Sequence, residues 1–127
     1  IRSDNPLNDA ETLKYGSKGQ ILELGKKPKS LLDISGQYTG LIKISYNKIK
    51  DFISFYDQLD HSILYEGRTF KQMYLTTYLQ LLINAGWMVM PATVNHGWLE
   101  VDTVDDLLIY EKLHKEGKLD YFWNKNE

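Results

Sequence analysis

Glu100 and Asp102 stand two residues apart in Gly97-Trp98-Leu99-Glu100-Val101-Asp102-Thr103-Val104-Asp105-Asp106-Leu107, and on an extended strand that spacing puts both carboxylates on one face. Carboxylates paired at a strand's end point to metal chemistry. Leu99 and Val101, on the opposite face, are expected in the core. Thr103 followed three residues later by Asp106 reads as a helix cap, its hydroxyl and the aspartate satisfying free backbone N–H groups. The cap accounts for Asp105 and Asp106 without any chemistry. Asp102 precedes it, at the carboxyl end of the strand, where open α/β sheets hold their ligands.

Other chemistries find little support. His61, His96 and His114 lie far apart with no ligand spacing, so a zinc site is not expected. No Ser-His-Asp arrangement and no Gly-rich phosphate loop is present. The chain has 127 residues, 43% hydrophobic and 13% aromatic, enough for one domain-sized core. Its 15 basic and 17 acidic residues leave a net charge of −2, and the lysines are scattered, which argues against a nucleic-acid surface. With no cysteine there is no disulfide framework, as suits a reducing compartment, and a cytoplasmic location is expected. No apolar run approaches the roughly 20 residues of a membrane span. The start, Ile1-Arg2-Ser3-Asp4, lacks signal-peptide architecture and an initiator Met, so the chain is expected to begin inside a longer protein.

The elements that must position these residues follow from periodicity. Runs at Thr12 to Tyr15 and Ile21 to Leu24, separated by Gly16-Ser17-Lys18-Gly19, read as a hairpin. A polar loop around Pro28 leads to Tyr38 to Ser45, apolar on both faces and expected as an interior strand. Ile49, Phe52, Ile53 and Tyr56 recur at helical spacing. Asp60 to Arg68 is a linking loop. Phe70, Met73, Tyr74, Thr77, Tyr78, Leu81 and Leu82 form a longer helical stripe that stops at Gly86. Trp87 to Val94 is expected as a strand, Asn95-His96-Gly97 as a turn into the Trp98 strand, and Asp105 to Glu116 as the last helix. This order suits a layered α/β sheet with some antiparallel pairs.

The segment from Gly97 to Leu107, with Tyr110-Glu111 beyond it, resembles the end of the catalytic domain of Mg-dependent nucleotidyltransferases, most closely the CTP:phosphocholine cytidylyltransferase-like branch. Three further pieces are similar to the family in its order: Pro6-Leu7-Asn8-Asp9-Ala10-Glu11-Thr12-Leu13-Lys14, Gly25-Lys26-Lys27-Pro28 and Ile34-Ser35-Gly36-Gln37-Tyr38-Thr39-Gly40-Leu41-Ile42. The family's Gly-rich loop, with the Arg and Lys that grip the triphosphate, has no counterpart here. The resemblance therefore implies that residues 1–127 are the C-terminal, acceptor- and metal-binding portion of one nucleotidyltransferase domain. The fold it implies is Rossmann-like and layered, with a mixed sheet and the N-terminal nucleotide-binding half missing.

By the same resemblance Asp102 matches the family's second-half Mg²⁺ ligand, and Glu100 is a nearby acid facing metal or acceptor. Lys27 matches a Lys-Pro loop at the active-site rim. Gly40 matches a glycine where backbone approaches the acceptor, with Gln37 and Tyr38 beside it, while Asp9 and Glu11 are further acceptor candidates. Tyr74 and Thr77 fall where the family presents acceptor-binding side chains, although both also fit the core stripe of the helix. Trp98 with Tyr74 would make an aromatic cage for a quaternary ammonium. The implied reaction is transfer of a nucleotidyl group, CMP from CTP or its analogue from another NTP, to phosphocholine or another phosphorylated acceptor, with release of pyrophosphate. A sugar 1-phosphate or an aminoalkylphosphonate is an alternative acceptor, and a non-catalytic binding or assembly module is an alternative role. Lacking half the fold, the isolated chain is expected to be inactive. It is also expected to self-associate or to hold the missing half noncovalently.

Overall fold

The computed structural model of the chain describes residues 10–94 and 97–123. Pro6 to Asp9 of the first motif, and Asn95 and His96 of the expected turn, lie outside the described residues. The fold divides into two compact units, one extending to Pro91 and the other beginning at Ala92.

The first unit is built on the expected hairpin. Strands β1 (Leu13–Tyr15) and β2 (Ile21–Leu24) pair antiparallel, with Leu13 opposite Leu24, Lys14 opposite Glu23, and a bulge before Tyr15 meets Ile21. Alternation turns Leu13 and Leu24 into the core and Lys14 outward, where its Nζ lies 3.1 Å from Glu23 and 2.9 Å from Asp33. The pairing continues past the strand ends, because Thr12 N–H donates to the Lys26 carbonyl and Gly25 N–H to the Thr12 carbonyl. At Gly25 the backbone has φ +80°, and a Cβ there would sit 2.6 Å from the Thr76 Cβ, so only glycine lets the hairpin approach the helix that carries Thr76 this closely.

Helix α1 (Ile49–Asp57) follows a 3₁₀ turn at Tyr46–Lys48. Its inward residues are Phe52, Phe55 and Tyr56, with Leu59 just beyond it, while Ile49 and Ile53 are 40% and 53% exposed. The expected stripe is thus rotated. The rings bury more apolar area than the isoleucines, and Phe52 and Tyr56 meet Tyr78 edge-on at 5.0 and 5.3 Å. Where the sequence suggests only a linking loop, β3 (Leu64–Tyr65) and β4 (Arg68–Thr69) form a small hairpin. Its central residues Glu66 and Gly67 have φ of +51° and +80°, the pattern of a type I′ turn.

Helix α2 (Leu75–Asn84) supplies Tyr78, Leu79 and Leu82 to the core and ends at Gly86, φ +89°, as expected. It begins later than its stripe suggests: Phe70–Gln72 is a 3₁₀ turn and Tyr74 is an extended, 54% exposed cap residue rather than core. Gln80 completes the edge of β2, accepting from Leu24 N–H at 3.0 Å and donating to the Leu22 carbonyl at 3.1 Å. A buried side-chain amide here does the work of a neighbouring strand.

In the second unit, α3 (Val104–Lys115) forms where expected and is followed by a 3₁₀ turn at Leu119–Tyr121. Gly97 N–H donates to the Phe122 carbonyl.

Three expected strands are not realised. Tyr38 to Ser45 is irregular, with Leu41 74% and Ile42 42% exposed, and no strand pairs with it among the described residues. Trp87 to Val94 alternates half-buried and exposed residues as far as Pro91, yet among the described residues its backbone bond to a strand is that from Ile21 N–H to the Val89 carbonyl. The Trp98 to Asp102 stretch is irregular too, and Val101 is 53% exposed rather than buried. The cause is common to all three. A strand is stabilised by the neighbours that take its backbone groups and cover its faces, so an apolar segment without them stays irregular. Among the described residues the sheets are two separate two-stranded hairpins.

Candidate functional site

Asp102 is positioned by the N-terminus of α3. Thr103 is the cap: its hydroxyl accepts from Asp106 N–H at 3.1 Å, while Asp106 Oδ2 accepts from Thr103 N–H at 2.9 Å and from the Thr103 hydroxyl at 2.8 Å. The same Oδ2 accepts from Asp102 N–H at 3.1 Å. Asp106 is 7% exposed, so this carboxylate is spent on backbone and cap. Asp102 is exposed and Glu100 half-buried, one turn of chain ahead of the helix. Trp98 is 43% exposed, which leaves ring surface available to a ligand.

Residues that hold Mg²⁺ must offer hard oxygen donors, and the ion needs only one or two protein carboxylates because water and substrate phosphates complete its octahedron. Asp102, with Glu100 two residues before it, fits that donor chemistry. Among the described residues no group of three acidic, histidine or cysteine side chains forms a cage of its own.

The first unit brings other candidates together. The Thr77 hydroxyl, buried on α2, donates to Glu66 Oε2 at 2.6 Å. Desolvation, and then the Glu66 charge, push the Glu11 carboxyl above its ordinary range. Burial, and then the Glu11 charge, raise the Tyr38 phenol. The Tyr38 hydroxyl itself is buried and has no hydrogen-bond partner among the described residues. Tyr38, Glu11, Glu66 and Thr77 are therefore one electrostatically linked group drawn from four parts of the chain. The sequence does not mark Glu66 as a member of this group. Its one local signal is the Glu-Gly pair between Tyr65 and Arg68, a turn dipeptide that fixes a hairpin without saying what the carboxylate meets.

The charge in this group has a pH signature. A raised folded-state pKa means that ionised Glu11 opposes folding, so the cost is present at neutral pH and vanishes as pH falls through the carboxyl range. Glu11→Gln, neutral throughout, should be more stable than the parent at pH 7. In denaturant titrations the difference should close as the pH falls through the carboxyl range; a constant difference across that range would contradict the coupling.

Lys27 and Gln37 are exposed. Gly40 has φ +81° and open space around the position a Cβ would take, so its backbone angle calls for glycine. The Tyr74 ring carries the Arg68 guanidinium 4.1 Å from its centroid, and Arg68 also donates to the Tyr74 hydroxyl. One face of this proposed cage residue thus already holds a cation. No described helix is long and apolar enough to cross a membrane.

No protein-family model matches the sequence, and no solved structure matches it. Among curated proteins, the CTP:phosphoglutamine cytidylyltransferase of Campylobacter jejuni subsp. jejuni serotype O:2 is 43% identical over 106 residues. The match takes in 84% of this chain and 42% of that protein. The chain thus spans less than half the length of the curated relative it matches, and over most of its own length it is similar in sequence to a cytidylyltransferase.

Proposed function

We propose that this chain is the acceptor- and metal-binding portion of a cytidylyltransferase that moves CMP from CTP to a phosphorylated small molecule and releases pyrophosphate. The observation that carries the reading is the 43% identity over 106 residues to a cytidylyltransferase. In this reading the chain contributes to a Rossmann-like layered fold in which Tyr38 to Ser45 and Trp98 to Asp102 gain strand partners from the rest of the protein. The need of those apolar stretches for neighbours supports it.

Asp102 would hold Mg²⁺. When bound, the cation supplies neutralisation of the triphosphate and of the departing pyrophosphate. Asp102 fixes a negative charge where the two anionic substrates must meet, and the capped start of α3 holds its backbone in place. On the acceptor side the reading assigns Tyr38 and Thr77, joined through Glu11 and Glu66, together with Lys27, Gln37 and Gly40 on the loops before α1. Trp98 and Glu100 are assigned to acceptor selection rather than to the transfer step.

The acceptor we favour is of the phosphoglutamine kind, the acceptor that the Campylobacter relative's name carries. The guanidinium resting on Tyr74 favours it over phosphocholine, because a ring already facing Arg68 is a poor wall for a second cation. The test is kcat/KM of the natural full-length protein with CTP against phosphoglutamine, phosphocholine and a sugar 1-phosphate. Preference for phosphoglutamine by a factor of ten or more, about 1.4 kcal/mol, is expected. Preference for phosphocholine would restore the aromatic cage, and no transfer to any acceptor would favour a binding module.

A further inference from the structure

We propose that Asp106 is a positioning residue for Asp102, tying down the backbone that presents its carboxylate; the inference rests on the metal-binding reading of Asp102. A capping box requires the acid three residues into the helix to reach back to the N–H of the cap residue. Asp106 does that at Thr103 and then goes one residue further, with a single oxygen that also accepts from Asp102 N–H at 3.1 Å. This carboxylate is 7% exposed, whereas the residue it holds is exposed. A side chain on an irregular, exposed stretch has many backbone conformations open to it. The third hydrogen bond removes that freedom at the one residue whose carboxylate must meet a cation. Its place before the helix also keeps Asp102 close to the positive end of the α3 dipole, shared with Asp106.

Thr103 provides the control. Thr103→Ala removes the cap hydroxyl, which is bonded to Asp106 N–H and Oδ2, and leaves the backbone bonds from Asp102 and Thr103 to Asp106 intact. Asp106→Ala removes both the cap and the hold on Asp102. A purely structural role predicts similar consequences for the two variants; a positioning role separates them.

The experiment is a Mn²⁺ titration of the natural full-length protein followed by electron paramagnetic resonance, alongside thermal unfolding, for the parent and for Asp102→Asn, Asp106→Ala, Asp106→Asn and Thr103→Ala. Asp106→Ala should weaken Mn²⁺ binding roughly tenfold or more, as loss of a group that orients a metal ligand does. Thr103→Ala should bind as the parent does while losing comparable thermal stability, and Asp106→Asn, which keeps an acceptor oxygen, should recover most of the affinity. Equal weakening in Thr103→Ala and Asp106→Ala would overturn the positioning role. Should Asp106→Ala fail to fold, amide exchange decides: the Asp102 N–H of the parent should be protected, and free exchange there would overturn the proposal. Unchanged Mn²⁺ binding in Asp102→Asn would instead overturn the metal reading beneath it. Weakening in Asp102→Asn with parent-like binding in Asp106→Ala would overturn the positioning role alone.

Discussion

Asp102→Asn should lower turnover of the natural full-length protein roughly a thousandfold, equivalent to about 4 kcal/mol of transition-state stabilisation, the scale on which a cation's neutralisation of phosphate charge operates. The substitution keeps the side chain's shape and removes its charge. Asp102 is exposed, and exposed substitutions away from packed features change stability by only about 0.5 kcal/mol. The melting temperature should therefore stay within a few degrees of the parent's, and raising Mg²⁺ should recover part of the activity. Turnover within a factor of a few of the parent would remove Asp102 from the site.

The largest effect on stability is expected at Leu82, 1% exposed and central to the cluster formed with Leu13, Leu24, Tyr78 and Leu79. Leu82→Ala leaves a cavity where β1, β2 and α2 meet. Core truncations of this kind cost about 2–5 kcal/mol, and in a unit of this size each kcal/mol shifts the midpoint by roughly 4–8 °C. A fall of about 8 °C or more is expected on thermal unfolding followed by circular dichroism. A fall of a degree or two would mean that the core lies elsewhere.

What the sequence reveals of this fold tracks the range of the forces involved. The Thr103/Asp106 cap forms as read because its partners lie within one helical turn, and α2 ends at Gly86 because a positive φ is a local property. The first hairpin is legible for the same reason: a short glycine-bounded turn joins two runs that alternate in register. Tyr38 to Ser45 and Trp98 to Asp102 look like strands because of their composition, but a strand depends on segments distant in sequence, and none pairs with them among the described residues. The rotation of α1 is likewise a tertiary outcome, decided by the rings that meet Tyr78 rather than by the spacing of isoleucines.

The candidate site divides in the same way. Asp102 is legible from its place before a cap, and Tyr38 and Thr77 from the resemblance to nucleotidyltransferases. Glu66 escapes because nothing local marks a turn glutamate as the partner of a helix threonine 11 residues later. Tyr74 shows the converse: helical spacing suggests a core residue, whereas its extended backbone and its contact with Arg68 hold it at the surface.

Cytidylyl transfer itself can be followed directly by ³¹P NMR of the natural full-length protein with CTP, Mg²⁺ and phosphoglutamine. The CTP resonances should decline together with the phosphoglutamine signal, while pyrophosphate and a pair of coupled diphosphate resonances from the CMP-linked product appear in equal amounts, and chelating the Mg²⁺ should stop the change. A CTP spectrum that stays constant with phosphoglutamine, phosphocholine and a sugar 1-phosphate alike, in a protein shown to be folded, would contradict cytidylyl transfer.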